Sequence, residues 1–536
     1  MTERKSQFPE FERLSEEPAE SASENQEVRI LNSKDYIKKM REAGYEELAA
    51  TYEKVVEICE AVKEAGGRAL LVGGSVRDML AGKISKDYDL EVYGVKPEDL
   101  ESLVGKHGRV SEVGKAFGIL KVSAGEGIDI DVSIPRSDSK VAEGHRGFAV
   151  KTDPFMSIED AARRRDFTIN SMSADPITCE IFDPFGGVMD LRNRCLRVTD
   201  EERFKDDPLR VMRALQFIGR FGLELDEDSA RIIREMAPQL KELPKERIGE
   251  EWKKLLLKSP KPSLGLAAGM GLGVFHELHV ELPPLVETKQ DPEWHPEGDA
   301  WVHTMMAVDY AAKIARREKL GDDQAWILML ATLAHDIGKP KVTEFVDGKW
   351  RSLGHEEAGT EPTKKFLAKL GVEGEVRDKV VKLVVEHLAP VFLYAEEKVR
   401  GHQVSDGSIR RLANRLFPAT ISELVMVSEA DIMGRGPFAD PEIPEQLLLP
   451  EGFPAGPWLL ERARKVNVDK SKPARLISGK DLVVFGFKEN PKMGVLIKLA
   501  DQLRDEKNYT APMVFAAIDG IKDYDAAIEK LRELLK

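Results

Sequence analysis

Cysteines are scarce in this sequence, and long apolar runs are missing. Among 536 residues only three are cysteine, Cys59, Cys179 and Cys195, and an odd number of widely spaced thiols fits neither a disulfide framework nor a cysteine-based zinc site. The best apolar stretches, such as Ala325–Ala334, are too short to cross a bilayer. The N-terminus has no apolar signal-peptide core. We therefore expect no membrane association and a cytoplasmic location.

A surplus of positive charge is also missing, since the formal net charge is −14. Any RNA-binding face must therefore be a local patch. A hydrophobic share of 42% with 32% charged residues describes a globular protein. The chain is too long for a single core, so the sequence predicts several domains. It does not determine the oligomeric state.

Changes in composition divide the chain. Residues 1–33 are rich in Glu, Ser and Pro, which predicts a disordered acidic tail. Residues 34–200 combine a helix over 36–65 with short apolar runs separated by turn signals, which predicts a small mixed-sheet head with its core at 69–198. Helical spacing predicts three further regions: a neck at 201–287, a domain at 295–436 and a C-terminal tail at 458–536. The predicted fold class is α+β.

A glycine pair followed by closely spaced aspartates marks the first candidate site. Its residues are Gly73, Gly74, Arg77, Asp87 and Asp89. The glycines let the backbone approach an anion, and a strand over 86–92 would project both aspartates from one face, where they need a cation such as Mg²⁺. Alone, the glycine pair is more often an ordinary strand-to-helix turn than a phosphate site. Asp131 is a candidate third carboxylate on a neighbouring strand, or a solvent-facing strand residue.

These residues belong to a longer series of motifs. GGSVRD and DYD are followed by RRRDFTIN (163–170), DPFGGVMDL (183–191) and DDPLRVMRALQF (206–217). In this order the motifs resemble the class II tRNA nucleotidyltransferases and bacterial poly(A) polymerases, from about residue 69 to 285. The resemblance implies a nucleotidyltransferase head and a neck that binds nucleotide and RNA.

The resemblance also implies roles for individual residues. Asp87 and Asp89 would be catalytic and would hold two Mg²⁺ ions. The nucleotide would be bound by Gly73, Gly74, Arg77, Arg165, Asp166, Asn170, Asp207, Arg210 and Arg213. Residues 136–160 occupy the place of the family's flexible loop, and Gln216 stands where the pattern often has arginine.

Base selection by Asp207 and Arg210 makes chemical sense without the family. A carboxylate accepts from an exocyclic amino group and an arginine donates to a ring nitrogen or carbonyl oxygen, so CTP and ATP fit, whereas UTP and GTP leave groups unpaired. The two residues are three apart on a predicted helix and share a face. A surface ion pair is the alternative interpretation of the same spacing.

Histidines mark a second candidate site. The sequence has only ten, and one block contains His295, His303, His335, His355 and His387, together with Asp336 and Asp431. A lone histidine on an apolar helix is more often a core or surface residue than a ligand. Imidazoles and carboxylates that converge are, however, the ligand set of a divalent transition metal.

The order of these residues resembles the HD phosphohydrolase superfamily over 303–431. By that resemblance His303, His335, Asp336 and Asp431 would bind a metal whose identity stays open, and His355 and His387 would add a second ion or bind phosphate. Lys339 is either a phosphate contact or a solvated cation at a helix end.

The two modules in this order are most similar to CCA-adding enzymes that carry an HD domain. The predicted function is addition of CCA to tRNA 3′ ends from CTP and ATP, with phosphatase or phosphodiesterase activity in the HD domain. Seven arginines around the head and neck predict a track for tRNA: Arg192, Arg194, Arg197, Arg203, Arg210, Arg213 and Arg220. The alternatives are a poly(A) polymerase or A-adding enzyme, and an HD phosphohydrolase whose head only binds nucleotide.

Overall fold

The computed structural model describes residues 30–112, 119–123, 129–140, 148–435 and 452–536. The chain forms two compact units, of which the first ends at Met189 and the second runs from Asp190 to Lys536. In the described part of the chain, no helix combines the length and apolar character needed to cross a membrane.

The first unit contains a sheet, a separate hairpin and short helices. Its helices are α1 (Ser33–Glu42), α2 (Glu46–Glu64), α3 (Gly74–Leu80), α4 (Pro97–Val104), α5 (Ile158–Arg163) and α6 (Thr168–Ser171), and α7 (Gly187–Arg192) spans the boundary between the units. Its strands are β1 (Arg68–Val72), β2 (Tyr88–Tyr93), β3 (Arg109–Glu112), β4 (Ile119–Ser123), β5 (Asp129–Ser133), β6 (Arg136–Lys140), β7 (Phe148–Thr152), β8 (Ser173–Ala174) and β9 (Ile181–Phe182).

The main sheet has seven strands in the order β3-β4-β5-β2-β1-β8-β9. Strands β2 and β5 are parallel, and the other neighbours are antiparallel. The predicted mixed sheet is therefore confirmed. Strands β6 and β7 form a separate antiparallel pair, and they lie within the segment that the sequence assigned to the family's flexible loop; residues 141–147 are outside the described chain.

Two boundaries of the first unit differ from the sequence prediction. Ile30 is buried and Asn32 caps α1 by accepting from the Asp35 amide, so residues 30–33 belong to the folded region, and residues 1–29 lie outside the described chain. The single helix expected over 36–65 is two helices, because Gly44 adopts a φ of 80°. Such a conformation favours glycine and ends a helix.

The second unit is helical apart from two short strand pairs. Its first helices are α8 (Glu201–Phe204), α9 (Leu209–Phe221), α10 (Glu227–Met236), α11 (Lys245–Lys258), α12 (Pro262–Gly271) and α13 (Val274–Leu278). The next are α14 (Ala300–Arg317), α15 (Asp322–Ala334), α16 (Lys339–Val342), α17 (His355–Ala358), α18 (Thr360–Lys369), α19 (Gly374–Glu386), α20 (Ala389–Lys398), α21 (Asp406–Leu416) and α22 (Ile421–Met433). The last are α23 (Ala455–Lys465), α24 (Gly479–Phe485), α25 (Met493–Lys507), α26 (Ala511–Ala517) and α27 (Tyr524–Leu535). The strands are β10 (Cys195–Leu196), β11 (Glu224–Leu225), β12 (Glu344–Val346) and β13 (Lys349–Arg351).

The compact unit that contains the sheet ends before residue 200, where the sequence places the head boundary, and that boundary stays a prediction. Strand β10 pairs in parallel with β11, and Arg197 forms ion pairs with Asp190 and Asp226. These contacts join residues 190–200 to the helical unit. The head as a compact unit therefore ends at Met189.

Three packed regions follow one another in the second unit. Helix α9 packs against α11 and α12, and α14 packs against α15 and α22. The C-terminal helices have a hydrophobic core of their own, with Leu482, Leu503 and Leu531 fully buried. The α+β class, with a mixed-sheet head followed by helical regions, is thus confirmed.

Candidate functional site

Gly73 lies where β1 turns into α3. Its φ of 72° and ψ of −132° are accessible to glycine and costly for other residues. A Cβ at this position would lie 3.2 Å from Arg165 Nη1 and 3.9 Å from Asp89 Oδ2. The glycine is thus required both by the turn and by the close approach of two predicted site residues.

The three candidate carboxylates lie on two neighbouring strands, with Asp87 and Asp89 at β2 and Asp131 on β5. Asp87 immediately precedes β2 and Asp89 is its second residue, so the two share a face. In the parallel register of β2 and β5, Asp89 is opposite Asp131, which places the candidate third carboxylate on the adjacent strand. Asp131 Oδ1 is buried without a hydrogen bond, 3.7 Å from Lys121 Nζ. Such a carboxylate edge fits a hard cation.

Burial and a neighbouring carboxylate affect the ionisation of Asp89. The surrounding protein, and then the charge of Asp131, raise the pKa of Asp89 to about 6. A nearby cation favours the ionised form and would lower this pKa again. Among the described residues, groups of three potential ligand atoms within 4.8 Å of one another occur only around the histidines. The carboxylate oxygens of the head are therefore farther apart than the ligand atoms of the histidine cluster.

A buried hydrogen-bond chain connects the GGSVRD and RRRDFTIN motifs. Arg77 Nη1 donates to Asn170 Oδ1 at 2.7 Å, and Asn170 Nδ2 donates to Asp166 Oδ1 at 3.0 Å. Arg77 also pairs with Asp78 at 2.8 Å and is only 5% exposed. These hydrogen bonds give Arg77 a role in joining the two motifs, and its contact with phosphate stays a prediction.

Glu91 is a site residue that the sequence analysis missed. It is 1% exposed and accepts from Arg164 Nη2 at 2.8 Å and from Tyr93 Oη at 2.9 Å, and its Oε2 lies 3.5 Å from Arg165 Nη2. The charges of both arginines outweigh burial and lower the pKa of Glu91. Its position two residues after Asp89, on the same strand face, was the available signal.

Asp207 and Arg210 are arranged differently from the expectation. Asp207 precedes α9, which begins at Leu209 after Pro208, so the two residues do not share a helix. The Asp207 carboxylate accepts from the Leu209 amide and pairs with Arg247 Nη2, both at 3.1 Å. Arg210 Nη1 donates to the carbonyl of Arg203 at 2.7 Å. The Asp207 carboxylate thus pairs with Arg247 of α11, and base selection by Asp207 and Arg210 stays a prediction.

Other neck residues divide between packing and exposure. Gln216 is 2% exposed and packs within the second unit, which gives it a structural role. Arg213 is half-buried beside the Phe217 ring. Of the predicted arginine track, Arg192, Arg194, Arg197 and Arg203 are exposed, so a tRNA contact by these four is compatible with the structure.

The histidine cluster converges as predicted. His303 Nε2 lies 3.2 Å from His335 Nε2 and 3.1 Å from Asp431 Oδ1. The Asp336 carboxylate contacts two histidines: its Oδ2 lies 3.3 Å from His335 Nε2, and its Oδ1 lies 3.3 Å from His355 Nε2. These spacings match the roughly 3.0–3.5 Å between ligand atoms around one ion with bonds of about 2.1 Å.

The second part of the cluster adjoins the first. Asp336, His355 and His387 form a group of three potential ligands, next to the group of His303, His335 and Asp336. All of these side chains are buried, with exposures from 0% for His303 to 7% for His355. The arrangement therefore has room for one ion or for two that share Asp336.

Ionisation in this cluster suits a metal site. Burial opposes the charge on Asp336, but His335 and Lys339 outweigh it and hold the pKa of Asp336 well below its usual range. Burial lowers the pKa of His387 to about 3, so its imidazole is neutral. His355 Nε2 is buried without a hydrogen bond. Buried polar atoms without partners are rare in proteins, and a divalent ion would satisfy this one.

Lys339 is not a solvated cation at a helix end, and its contact with phosphate stays a prediction. Its ammonium group is buried, lies 2.7 Å from Asp336 Oδ2 and donates to Gln290 Oε1 at 2.6 Å. Lys339 begins helix α16 instead of lying at a helix end in solvent. Its charge balances that of the Asp336 carboxylate. Gln290, like Glu297 below, was not found by sequence reasoning, because neither residue is part of a helix or strand pattern.

Three family profiles match the chain. The poly(A) polymerase head domain matches residues 69–197, the probable RNA and SrmB-binding site of polymerase A matches 222–283, and the HD domain matches 301–416. The first covers the glycine turn and the aspartates, and the third covers the histidine cluster except His295 and Asp431.

Curated relatives and solved structures agree with these profiles. A multifunctional CCA protein of Stenotrophomonas maltophilia is 33% identical over 70% of this chain and 88% of its own length, and one of Xanthomonas campestris is 34% identical over 68% and 85%. The fold resembles the CCA-adding enzyme of Bacillus stearothermophilus in complex with CTP, at 21% identity, 90% and 98% coverage and a TM-score of 0.59. It also resembles the Thermotoga maritima CCA-adding enzyme complexed with tRNA, at 16% identity, 95% and 100% coverage and a TM-score of 0.53. The chain belongs to the family of multifunctional CCA proteins, the tRNA nucleotidyltransferases with a C-terminal HD domain.

Proposed function

We propose that this enzyme adds CMP and AMP, from CTP and ATP, to the 3′ ends of tRNA lacking CCA, and that its HD domain hydrolyses phosphoesters. The observation that supports the first activity best is the alignment of Asp89 with Asp131 beside the Gly73 turn. A carboxylate edge next to a close backbone approach is what a nucleoside triphosphate and its metal ions require. A cytoplasmic location is the corresponding prediction for an enzyme that acts on tRNA.

In this proposal Asp87 and Asp89 are the metal ligands of the head. Bound Mg²⁺ supplies the charge that activates the RNA 3′-hydroxyl and stabilises the departing pyrophosphate. Gly73 and Gly74 admit the phosphates close to the backbone, and Arg165, which lies beside Gly73, contributes a positive charge there. Asp166 and Asn170 would recognise the ribose hydroxyls from the hydrogen-bond chain that holds them.

Asp207 and Arg210 would select the base. The Asp207 carboxylate accepts from the amino group of cytosine or adenine, and Arg210 donates to a ring nitrogen or carbonyl oxygen. Arg247 Nη2 lies 3.1 Å from the same carboxylate and helps to hold it in place. Uracil and guanine would leave these groups unpaired. Arg213 would contact the nucleotide or its phosphates.

The histidine cluster supports the second activity. His303, His335, Asp336 and Asp431 would hold a divalent transition metal, and His355 and His387 would complete a second ion site or contact phosphate. A divalent ion held by these residues would supply the Lewis acidity that activates water for hydrolysis. Damaged or blocked RNA 3′ ends, such as 2′,3′-cyclic phosphates, are the proposed substrates.

A single assay separates the proposal from its alternatives. Purified protein with Mg²⁺ is incubated with tRNA that lacks its 3′ end, with CTP and ATP supplied singly and together, and the products are sequenced. Addition that stops after CCA supports the proposal. Open-ended A tails indicate a poly(A) polymerase, and addition of A only to tRNA that ends in CC indicates an A-adding enzyme.

No incorporation at all would leave the alternative of an HD phosphohydrolase with a nucleotide-binding head. The hydrolytic activity is tested in parallel on 2′,3′-cyclic nucleotides and 2′-phosphates, with Mn²⁺, Co²⁺ or Ni²⁺ added in turn. Absence of hydrolysis with every metal would contradict the second part of the proposal without affecting the first.

A further inference from the structure

The histidines of the HD cluster direct Nε2 toward one another, and each uses Nδ1 for a second contact. In three of them Nδ1 lies close to the main-chain carbonyl three residues earlier: His335 to Thr332 at 2.6 Å, His355 to Ser352 at 2.8 Å and His387 to Val384 at 2.7 Å. His335 and His387 cap the C-terminal ends of α15 and α19, where main-chain carbonyls are free of helical hydrogen bonds. The backbone therefore orients these three rings.

His303 cannot be oriented in this way. It is the fourth residue of α14, and the carbonyl of Ala300, three residues earlier, already accepts from Thr304 Oγ1 at 2.7 Å. A side chain contacts its Nδ1 instead, because Glu297 Oε1 lies 2.9 Å from His303 Nδ1. Glu297 is 2% exposed at its side chain and lies before the residues that match the HD profile.

The loop that carries Glu297 is firmly attached to α14. Asp299 caps the helix by accepting from the amides of Trp301 and Val302, both at 3.0 Å, and its other oxygen accepts from the Glu287 amide at 2.9 Å. The Ala300 amide donates to the Thr288 carbonyl at 3.0 Å. These hydrogen bonds fix the loop, so the carboxylate is held in place before any ion binds.

We propose that Glu297 is a positioning residue of the HD metal centre, which holds His303 with hydrogen on Nδ1 and with the Nε2 lone pair directed at the ion. This inference rests on the proposed metal site. A carboxylate behind a ligating imidazole also raises its basicity, and loss of such a partner typically weakens metal binding about 10-fold to 100-fold. His303 lies in the first turn of a helix and takes its Nδ1 partner from a side chain, whereas His335, His355 and His387 each contact the main-chain carbonyl three residues earlier.

A purely structural role for Glu297 is the competing explanation, because the same Oε1 also lies 2.9 Å from His295 Nδ1. The two roles make different predictions. If Glu297 serves only to pin the loop through His295, then removal of the His295 ring should disturb the centre as much as removal of the carboxylate. If it acts through His303, the His295 variant should bind metal nearly as well as the wild type.

The test measures Co²⁺ binding to the full-length protein by calorimetry and by the visible absorption of the bound ion. We expect Glu297→Gln, which keeps an oxygen acceptor but no charge, to weaken Co²⁺ binding about 10-fold, and Glu297→Ala about 100-fold, with a changed spectrum. His295→Asn is the matched control and should stay within about twofold of the wild type. Nucleotide addition by the head reports folding in every variant.

Each outcome decides one point. Unchanged affinity and spectrum in Glu297→Ala, or an equal loss in His295→Asn, would overturn the positioning role. The metal site of the proposed function fails if the wild type binds no Co²⁺, or if it binds Co²⁺ with an affinity that Asp431→Asn does not change. The positioning role then fails with it. Should Glu297→Ala lose nucleotide addition through misfolding, Glu297→Asp keeps the charge at a longer distance, and an affinity equal to the wild type would then contradict the proposal.

Discussion

Asp89 of β2 lies opposite Asp131 of β5, and β5 is the only parallel neighbour of β2 among the described strands. Burial of Asp89, and then the like charge of Asp131, raise the pKa of Asp89 to about 6. Because the metal must displace a proton from a protonated carboxyl, we expect nucleotide addition at limiting Mg²⁺ to fall about tenfold per pH unit below pH 6. Saturating Mg²⁺ should move this fall in rate, the acid limb of the pH–rate profile, to lower pH. Rates at several Mg²⁺ concentrations between pH 5 and 8 measure both effects.

The same pair supplies the control for this pH dependence. Asp131→Asn removes the neighbouring negative charge, so the pKa of Asp89 should fall and the acid limb should move to lower pH, whatever happens to the maximal rate. A limb that stays at the wild-type position in this variant would show that another group controls it.

The two proposed activities should be separable by one substitution each. Asp87→Asn should reduce nucleotide addition at least about 1,000-fold while phosphoester hydrolysis continues, because it removes a proposed metal ligand of the head only. Asp336→Asn should abolish phosphoester hydrolysis while nucleotide addition continues, since Asp336 belongs to two of the three groups of potential ligands. Both activities are measured on each protein, and a parallel loss of both in either variant would contradict the assignment.

Gly73→Ala should impair the head in two ways. A side chain at a φ of 72° and ψ of −132° is strained by roughly 1–3 kcal/mol, and its Cβ would stand 3.2 Å from Arg165 Nη1. Gly82→Ala is the matched control, because Gly82 also has a φ of 72° but no atom within 4 Å of its Cβ position. We expect both variants to lose stability in urea unfolding, and only Gly73→Ala to raise the KM for CTP.

Asp207→Asn should change the choice of base. The amide keeps one acceptor oxygen and adds a donor, so it can pair with the carbonyl oxygen of uracil or guanine. We expect kcat/KM for CTP and ATP to fall about tenfold or more and the relative use of UTP and GTP to rise. Asp206→Asn, at the neighbouring position, should keep the wild-type preference; if both variants select bases as the wild type does, Asp207 has no part in recognition.

His279 should make the second unit sensitive to acid. Its ring is 0% exposed and accepts from Trp252 Nε1 at 2.9 Å, and burial lowers its pKa to about 3. An unfolded histidine takes up its proton near pH 6.5, so stability present above that pH should be lost as the pH falls toward 3, by up to about 1.4 kcal/mol per unit.

His279→Gln offers the comparison, because glutamine retains an acceptor for Trp252 and does not titrate. Urea unfolding followed by tryptophan fluorescence between pH 4.5 and 7 gives the slope for each protein. We expect a smaller slope in the variant, even if its stability at pH 7 is lower. Equal slopes would show that other buried histidines account for the acid sensitivity.

The sequence determined the local arrangement at both sites. Alternation along one strand placed Asp87 and Asp89 on a common face, and a glycine pair after an apolar run predicted the turn at Gly73, because both depend on residues close together in the chain. Motif order identified the family. The histidines and aspartates of the HD cluster were likewise found from residue type and order, since metals select a small set of ligands.

Only the tertiary structure decided which partner each charged group meets. Arg247 pairs with Asp207 across 40 residues and Glu91 pairs with Arg164 across 73, and neither separation leaves a periodic signal in the sequence. Lys339 is buried against Asp336 instead of solvated, and Glu297 orients His303 because the backbone beside that ring is already hydrogen-bonded. Such partners depend on the folding of distant segments onto one another, and a buried carboxylate such as Glu91 or Asp336 would be costly without one.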